Sequence, residues 1–110
     1  MLRSSEFRQT YNQGSRLTSR YFVAFCLRTG DSPQGSRFGF TTPRALGKAV
    51  VRNRIKRRMR EAVRHEIHAF PHNWIVIFNP RRSVLEAGFA DLRCELRRVL
   101  EKCKQSYSVS

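Results

Sequence analysis

Acidic side chains are scarce in this chain of 110 residues: 8 Asp and Glu face 22 Lys and Arg, for a formal charge of +14 and a pI near 11.4. Self-repulsion at that charge opposes compaction, so an anionic partner is the expected counterweight. No apolar run reaches the ~18 residues of a membrane-spanning helix, and no membrane partner is expected. Carboxylates are not paired for acid–base work, since Asp31 and Asp91 fall in an expected loop and an expected helix far apart. Catalysis by the protein alone is therefore not expected. Cysteines number three, Cys26, Cys94 and Cys103, at no zinc or redox spacing. Cys94 and Cys103 stand nine apart on one expected helix and cannot be bridged there. Free thiols, buried or half-buried, in a reducing compartment, the cytoplasm, are the expectation. His65, His68 and His72 cluster around the end of an expected helix, but Pro71 separates the last two, and they read as ordinary histidines rather than a metal site. Internal repeats and low-complexity blocks are absent as well.

What is present reads as one domain over residues 1–110. Ser4 to Gln13 is an expected helix with Phe7 and Tyr11 at i and i+4, stopped by Gly14. Tyr21 to Leu27 reads as a strand that is apolar on both alternating sets, so it is covered on both faces or exposes aromatics. Thr29 to Ser36 is a turn-rich loop, and Arg37 to Thr42 a second strand with Phe38 and Phe40 on one side. A helix from Ala49 to His68, a break at Phe70-Pro71 and a short apolar strand from Trp74 to Phe78 follow, with Asn79-Pro80 as a turn. Ser83 and Glu86 form a capping-box pattern expected to open the last helix. Its core stripe is Leu85, Phe89, Leu92, Leu96, Val99, Leu100 and Cys103, with a frayed tail over residues 104–110. The expected class is α+β: one small sheet packed with helices, in the order α-β-β-α-β-α.

The chemistry concentrates between Lys48 and Arg64, where eight of seventeen residues are basic against a single acid, Glu61. At about 100° per residue, Val51, Ile55, Met59, Ala62 and Val63 make a buried stripe. Asn53, Arg57, Arg60 and Arg64 share one narrow face. Arg54 and Arg58 lie on the far side, and Arg52 and Lys56 flank the core stripe with Val63 and Ile67. A merely solvated helix interleaves acids at i,i+4, whereas this one sets like charges there. Phosphates that neutralise the face, releasing counterions, make such a pattern tolerable. The predominance of Arg over Lys favours phosphate and base recognition by a planar fork of donors. A membrane-surface helix would need a wide insertable apolar face, and this stripe is narrow and required for folding. Asn53 adds a neutral donor and acceptor able to lock a phosphate, a ribose hydroxyl or a base edge.

Arg37-Phe38-Gly39-Phe40, Gly47-Lys48-Ala49-Val50 and Arg52-Asn53-Arg54-Ile55-Lys56-Arg57, followed by Arg60, resemble the signature of the bacterial ribonuclease P protein subunit. Phe7, Gly14 and Arg16, the strand with Phe22 and Phe25, and the late Trp-Ile-Val-Ile-Phe strand fit too. The resemblance runs from about residue 3 to residue 103. Its early start argues against a mitochondrial presequence, which the Arg- and Ser-rich first twenty residues, with Glu6 as their one acid, otherwise suggest. The resemblance implies a fold like domain 2 of ribosomal protein S5, with a left-handed β-α-β crossover. It implies the protein subunit of an endoribonuclease whose catalytic RNA removes the 5′ leader of precursor tRNA. Ribonuclease P RNA and precursor tRNA are then the partners, and no protein partner is required. Magnesium would be held mainly by RNA and substrate phosphates. Lys48, Arg52, Asn53, Arg54, Lys56, Arg57, Arg60 and Arg64 would bind the RNA. Phe7, Tyr11, Phe22 and Phe25, with Arg16, Arg37 and Arg44, would line the cleft for the single-stranded leader, aromatics stacking on unpaired bases. Many members carry S-K-K before the G-K-A-V segment, whereas this chain has Thr42-Pro43-Arg44.

Two other readings share the charge. A structural ribosomal RNA-binding protein explains the basic helix but gives no reason for exposed aromatics. A helix-turn-helix DNA binder needs a short helix and tight turn before its recognition helix, whereas a strand and a proline-containing loop precede this one.

Overall fold

The computed structural model describes residues 4–28, 37–66 and 74–108. The expectations for the loop 29–36, Ile67, the break at Phe70-Pro71, and His68 and His72 lie outside the described residues. The elements run α1 (Ser4–Gln13), β1 (Ser15–Thr18), β2 (Phe22–Arg28), β3 (Arg37–Phe40), α2 (Ala49–Glu66), β4 (Trp74–Pro80) and α3 (Phe89–Ser108). Short 3-10 turns occupy Arg44–Leu46 and Arg82–Leu85. The strands form one sheet in the order β1-β2-β4-β3. β2 is antiparallel to β1 and β4, while β3 runs parallel to β4. A parallel pair requires a crossover, and α2 lies within the segment that joins β3 to β4.

This is the expected α+β class with one strand more. β1 is four residues, Ser-Arg-Leu-Thr, alternately half-buried and exposed. Nothing in its composition marks a strand; its order comes from pairing with β2.

The pleat decides where the core sits. Phe22, Ala24 and Cys26 of β2 and Trp74, Val76 and Phe78 of β4 point to one side. There Ile55, Met59, Ala62 and Val63 of α2 and Leu92, Leu96, Val99, Leu100 and Cys103 of α3 close over them. On the other side Ile75 and Ile77 meet Phe25 and, from α1, Phe7 and Tyr11. Both faces are covered, and this accounts for the doubly apolar β2. Gly14 lets α1 end against β2, because a Cβ there would lie 2.5 Å from the Thr10 carbonyl oxygen and 2.7 Å from that of Cys26.

Three expectations are corrected here. The last helix starts at Phe89, not at Ser83. Ser83 lies in the 3-10 turn and its hydroxyl donates to the Arg20 carbonyl at 3.1 Å, while the Gly88 carbonyl accepts from the Leu92 N–H at 3.0 Å. The 3-10 segment is used to pass over α2, whose Arg58 Nε donates to the Val84 carbonyl at 3.1 Å. Arg58 is therefore a clamp and not a solvent-side cation. At the other end α3 continues to Ser108. Cys26 and Cys103, expected as free thiols, are joined in a disulfide across 77 residues of sequence, with Cα atoms 6.3 Å apart. Both stand on core-facing positions that only the tertiary fold brings together. Cys94 is an exposed free thiol.

α2 and α3 are also tied by charge. Glu66, at 6% exposure, accepts from Arg93 Nε at 3.0 Å and from both Arg97 Nε and Nη2, at 3.2 and 3.1 Å. The Arg97 bonds, with Arg93 beside them, hold the carboxyl below its ordinary 4.5 against the opposing effect of burial. A depressed carboxyl pKa contributes stability above the unfolded value that is lost as pH falls through the folded one. Glu66→Gln is expected to lower stability by about 1–3 kcal/mol at pH 7. The gap to wild type should close as pH drops below the ordinary carboxyl range, as read by urea denaturation at several pH values.

Candidate nucleic-acid interface

Two surfaces emerge, one on each side of the sheet. The first is the outer part of α2. Gly47, at φ 133°, lets the 3-10 turn break into the helix, its N–H donating to the Arg44 carbonyl at 3.1 Å. A residue with a Cβ is strained in that conformation. Beyond it Ile55, Met59, Ala62 and Val63 face inward, and Val51 is half-buried. The expected narrow face is solvent-facing throughout: Asn53, Arg57, Arg60 and Arg64 are exposed, and so are Lys48 and Arg54. Arg52 and Lys56 are half-buried at the margins.

Acid does not balance this surface. Among the described residues only Arg64 of the set has a carboxylate partner, Glu61 at 3.7 Å. The Arg52 Nε is buried without an acceptor among the described residues. Asn53 makes no side-chain hydrogen bond to a described residue, so both ends of its amide face solvent. Cations in the first turns also stand at the positive end of the helix dipole, an unfavourable placement that an anionic ligand would relieve.

The second surface is the groove between α1 and the sheet. Tyr11 meets Phe25 edge-on, with ring centroids 4.7 Å apart, and Phe7 lies 6.5 Å from Tyr11. All three rings are half-buried, packed on Ile75 and Ile77 yet partly open. Phe22 is not among them. It is fully buried on the opposite face, edge-on to Phe78 at 5.4 Å. Residues three apart on a strand point to opposite faces, so Phe22 and Phe25 cannot line one groove.

The expected cations divide. Arg16 sits opposite Phe25 in the β1–β2 register and is exposed on the groove side. Arg37, opposite Ile75, is engaged by Glu6 of α1 and acts as a strut between helix and edge strand, its Nε buried without an acceptor among the described residues. Arg44 is exposed on the turn leading into α2, not on a strand that lines the groove.

The groove also holds residues that the sequence reading did not place there. Tyr11 Oη donates to Asn79 Oδ1 at 3.0 Å, and the Thr41 hydroxyl donates to the same oxygen. Asn79 was expected to turn the chain; it lies instead within β4, paired with Val23. Extending the alternation of Trp-Ile-Val-Ile-Phe by one residue would have put Ile75, Ile77 and Asn79 on one face. Glu6, the one acid of the first segment, gave no such signal.

Charge on one side and half-open aromatics on the other suit RNA, and the relatives agree. The ribonuclease P family profile matches residues 1–104. The ribonuclease P protein component of Carboxydothermus hydrogenoformans is 32% identical over 104 residues, 94% of this chain and 90% of that one. That of Maridesulfovibrio salexigens is 40% identical over 84 residues, 76% and 68% of the two chains. The solved structure of the Thermotoga maritima RNase P protein aligns with a TM-score of 0.79 at 29% identity, covering 92% of this chain and 94% of that one. The ribosomal-protein alternative gains no support from these relatives. By sequence over nearly its whole length, and by fold, this chain belongs to the ribonuclease P protein family.

Proposed function

We propose that this ribonuclease P protein binds the catalytic RNA of the ribonucleoprotein through the outer face of α2 and takes the single-stranded 5′ leader of precursor tRNA along the groove under α1. The RNA subunit carries the catalysis, and the product is the mature tRNA 5′ end. The observation that carries this reading is the unbalanced face of α2: Lys48, Asn53, Arg54, Arg57 and Arg60 are exposed with no acidic partner among the described residues. A folded helix keeps such a face only at an electrostatic cost, and phosphates offset it.

The groove supports the second half of the reading. Phe7, Tyr11 and Phe25 each keep part of a ring open, and an open ring face stacks on any base without reading its identity. Arg16 on the same face supplies a phosphate contact. Sequence-tolerant binding is what a leader of varied sequence demands.

Magnesium belongs elsewhere in this reading. It favours carboxylate and phosphate oxygens, whereas the outer face of α2 offers mainly ammonium and guanidinium groups, its one exposed carboxylate, Glu61, standing beside Arg64. The protein's cations screen phosphate repulsion, while RNA and substrate phosphates hold the ion.

Two measurements test the reading. Binding of the protein to ribonuclease P RNA, followed over a range of salt concentrations, should weaken for Arg57→Ala, with the slope of log K against log salt reduced by roughly one. An unchanged slope would remove Arg57 from the interface. For the groove, Phe7→Leu keeps apolar packing and removes the ring. It should weaken binding of leader-bearing precursor tRNA to the reconstituted ribonucleoprotein by roughly fivefold or more, and leave leaderless tRNA unaffected. Equal losses on both substrates would rule out a leader groove.

A further inference from the structure

The polar end of the groove carries more than packing. Asn79 lies on the α1 side of β4, half-buried, between Val23 of β2 and the end of β3. Its Oδ1 is used twice, by the Tyr11 hydroxyl at 3.0 Å and by the Thr41 hydroxyl. A carbonyl-type oxygen has two lone pairs, so the two hydroxyls saturate it. They also come from two different elements: Tyr11 from α1, and Thr41 from the chain just past β3, where its N–H donates to the Phe78 carbonyl at 3.0 Å. With Oδ1 turned to both hydroxyls, the NH2 group points away from them, and it has no hydrogen-bond partner among the described residues. Nor is it a buried atom left unsatisfied.

We infer that Asn79 is a leader-positioning residue: its oriented amide donates a hydrogen bond to an acceptor on the nucleic acid strand in the groove. This rests on the reading of the groove as the leader site. The chemistry selects a group that accepts, namely a phosphate oxygen, or a base acceptor such as purine N7 or pyrimidine O2. Where Phe7, Tyr11 and Phe25 offer sequence-tolerant stacking, Asn79 fixes the strand's register at one nucleotide. Tyr11 serves both ends, its ring in the aromatic row and its hydroxyl on the amide.

The test measures affinity of the reconstituted ribonucleoprotein for one tRNA with and without its leader. It compares wild type with Asn79→Leu, Asn79→Ala and Asn79→Asp, and thermal melts report the fold of each variant. Asp keeps an oxygen for both hydroxyls but has no donor; Leu and Ala are neutral and have neither. All three should lose roughly tenfold on the leader-bearing substrate, with no change on the leaderless one. Retained affinity in the folded neutral variants overturns the inference, because loss in Asp alone reports only charge repulsion. Single methylphosphonate linkages along the leader, and separately 7-deazapurines and pyrimidines lacking O2, then locate the acceptor. The one substitution that abolishes the difference between wild type and Asn79→Leu identifies a phosphate or a base. If none does, the direct contact is overturned. Should wild type itself gain nothing from the leader, it is the groove assignment that fails, and the outcome is distinguishable from failure at Asn79.

Discussion

Burial of β2 and β4 on both faces is the constraint on which the other features depend. A four-stranded sheet with two short edge strands cannot sustain a fold by its ladder hydrogen bonds; it needs apolar cover. α2 and α3 supply cover on one side through Ile55, Met59, Leu92, Leu96 and Val99. α1 supplies it on the other through Phe7 and Tyr11. The same arrangement separates two chemistries by the thickness of a sheet. A helix anchored by its inner stripe can present bare cations outward, and a helix resting on aromatics leaves a groove beside it.

Holding +14 on 110 residues works against folding. Three of the eight acids, Glu6, Glu66 and Glu95, hold elements together, and none of the three masks the outer face of α2. Glu66 receives Arg93 and Arg97 and joins α2 to α3. Glu95 accepts from Ser19 at 2.7 Å and from Arg98 at 2.9 Å, and joins α3 to the β1–β2 turn. Glu6 engages Arg37 and joins α1 to β3. Of the acids with a described ion pair, Glu61 alone meets a cation of the exposed α2 face, and at 3.7 Å. Charge thus serves two ends: paired charges at the joints, and unpaired ones on the outer face of α2, the surface proposed for RNA.

Much of this was legible where local signals are strong. Gly14 marks the end of α1, and the helical spacing of Val51, Ile55, Met59, Ala62 and Val63 gives the orientation of α2, hence the exposed set Asn53, Arg57, Arg60 and Arg64. What escaped was non-local. β1 has no strand composition and exists by pairing. Ser83 and Glu86 match a capping box, yet tertiary demands on the 3-10 turn override it. Phe22 and Phe25 were grouped as aromatics although the pleat sends them to opposite faces. Cys26 and Cys103 meet only through the packing of α3 on β2. Asn79 read as a turn because Asn-Pro is a turn pair, and its place in the groove depends on β4 running on to Pro80.

The proposed function requires that this chain work with a catalytic RNA on leader-bearing tRNA. The direct measurement is cleavage of a 5′-leader-bearing precursor tRNA by a bacterial ribonuclease P RNA at low magnesium, with and without the protein. Added protein is expected to restore cleavage at the mature 5′ end, and Asn53→Ala to weaken the rescue. Binding to the RNA with no change in cleavage or substrate affinity would overturn the proposed role.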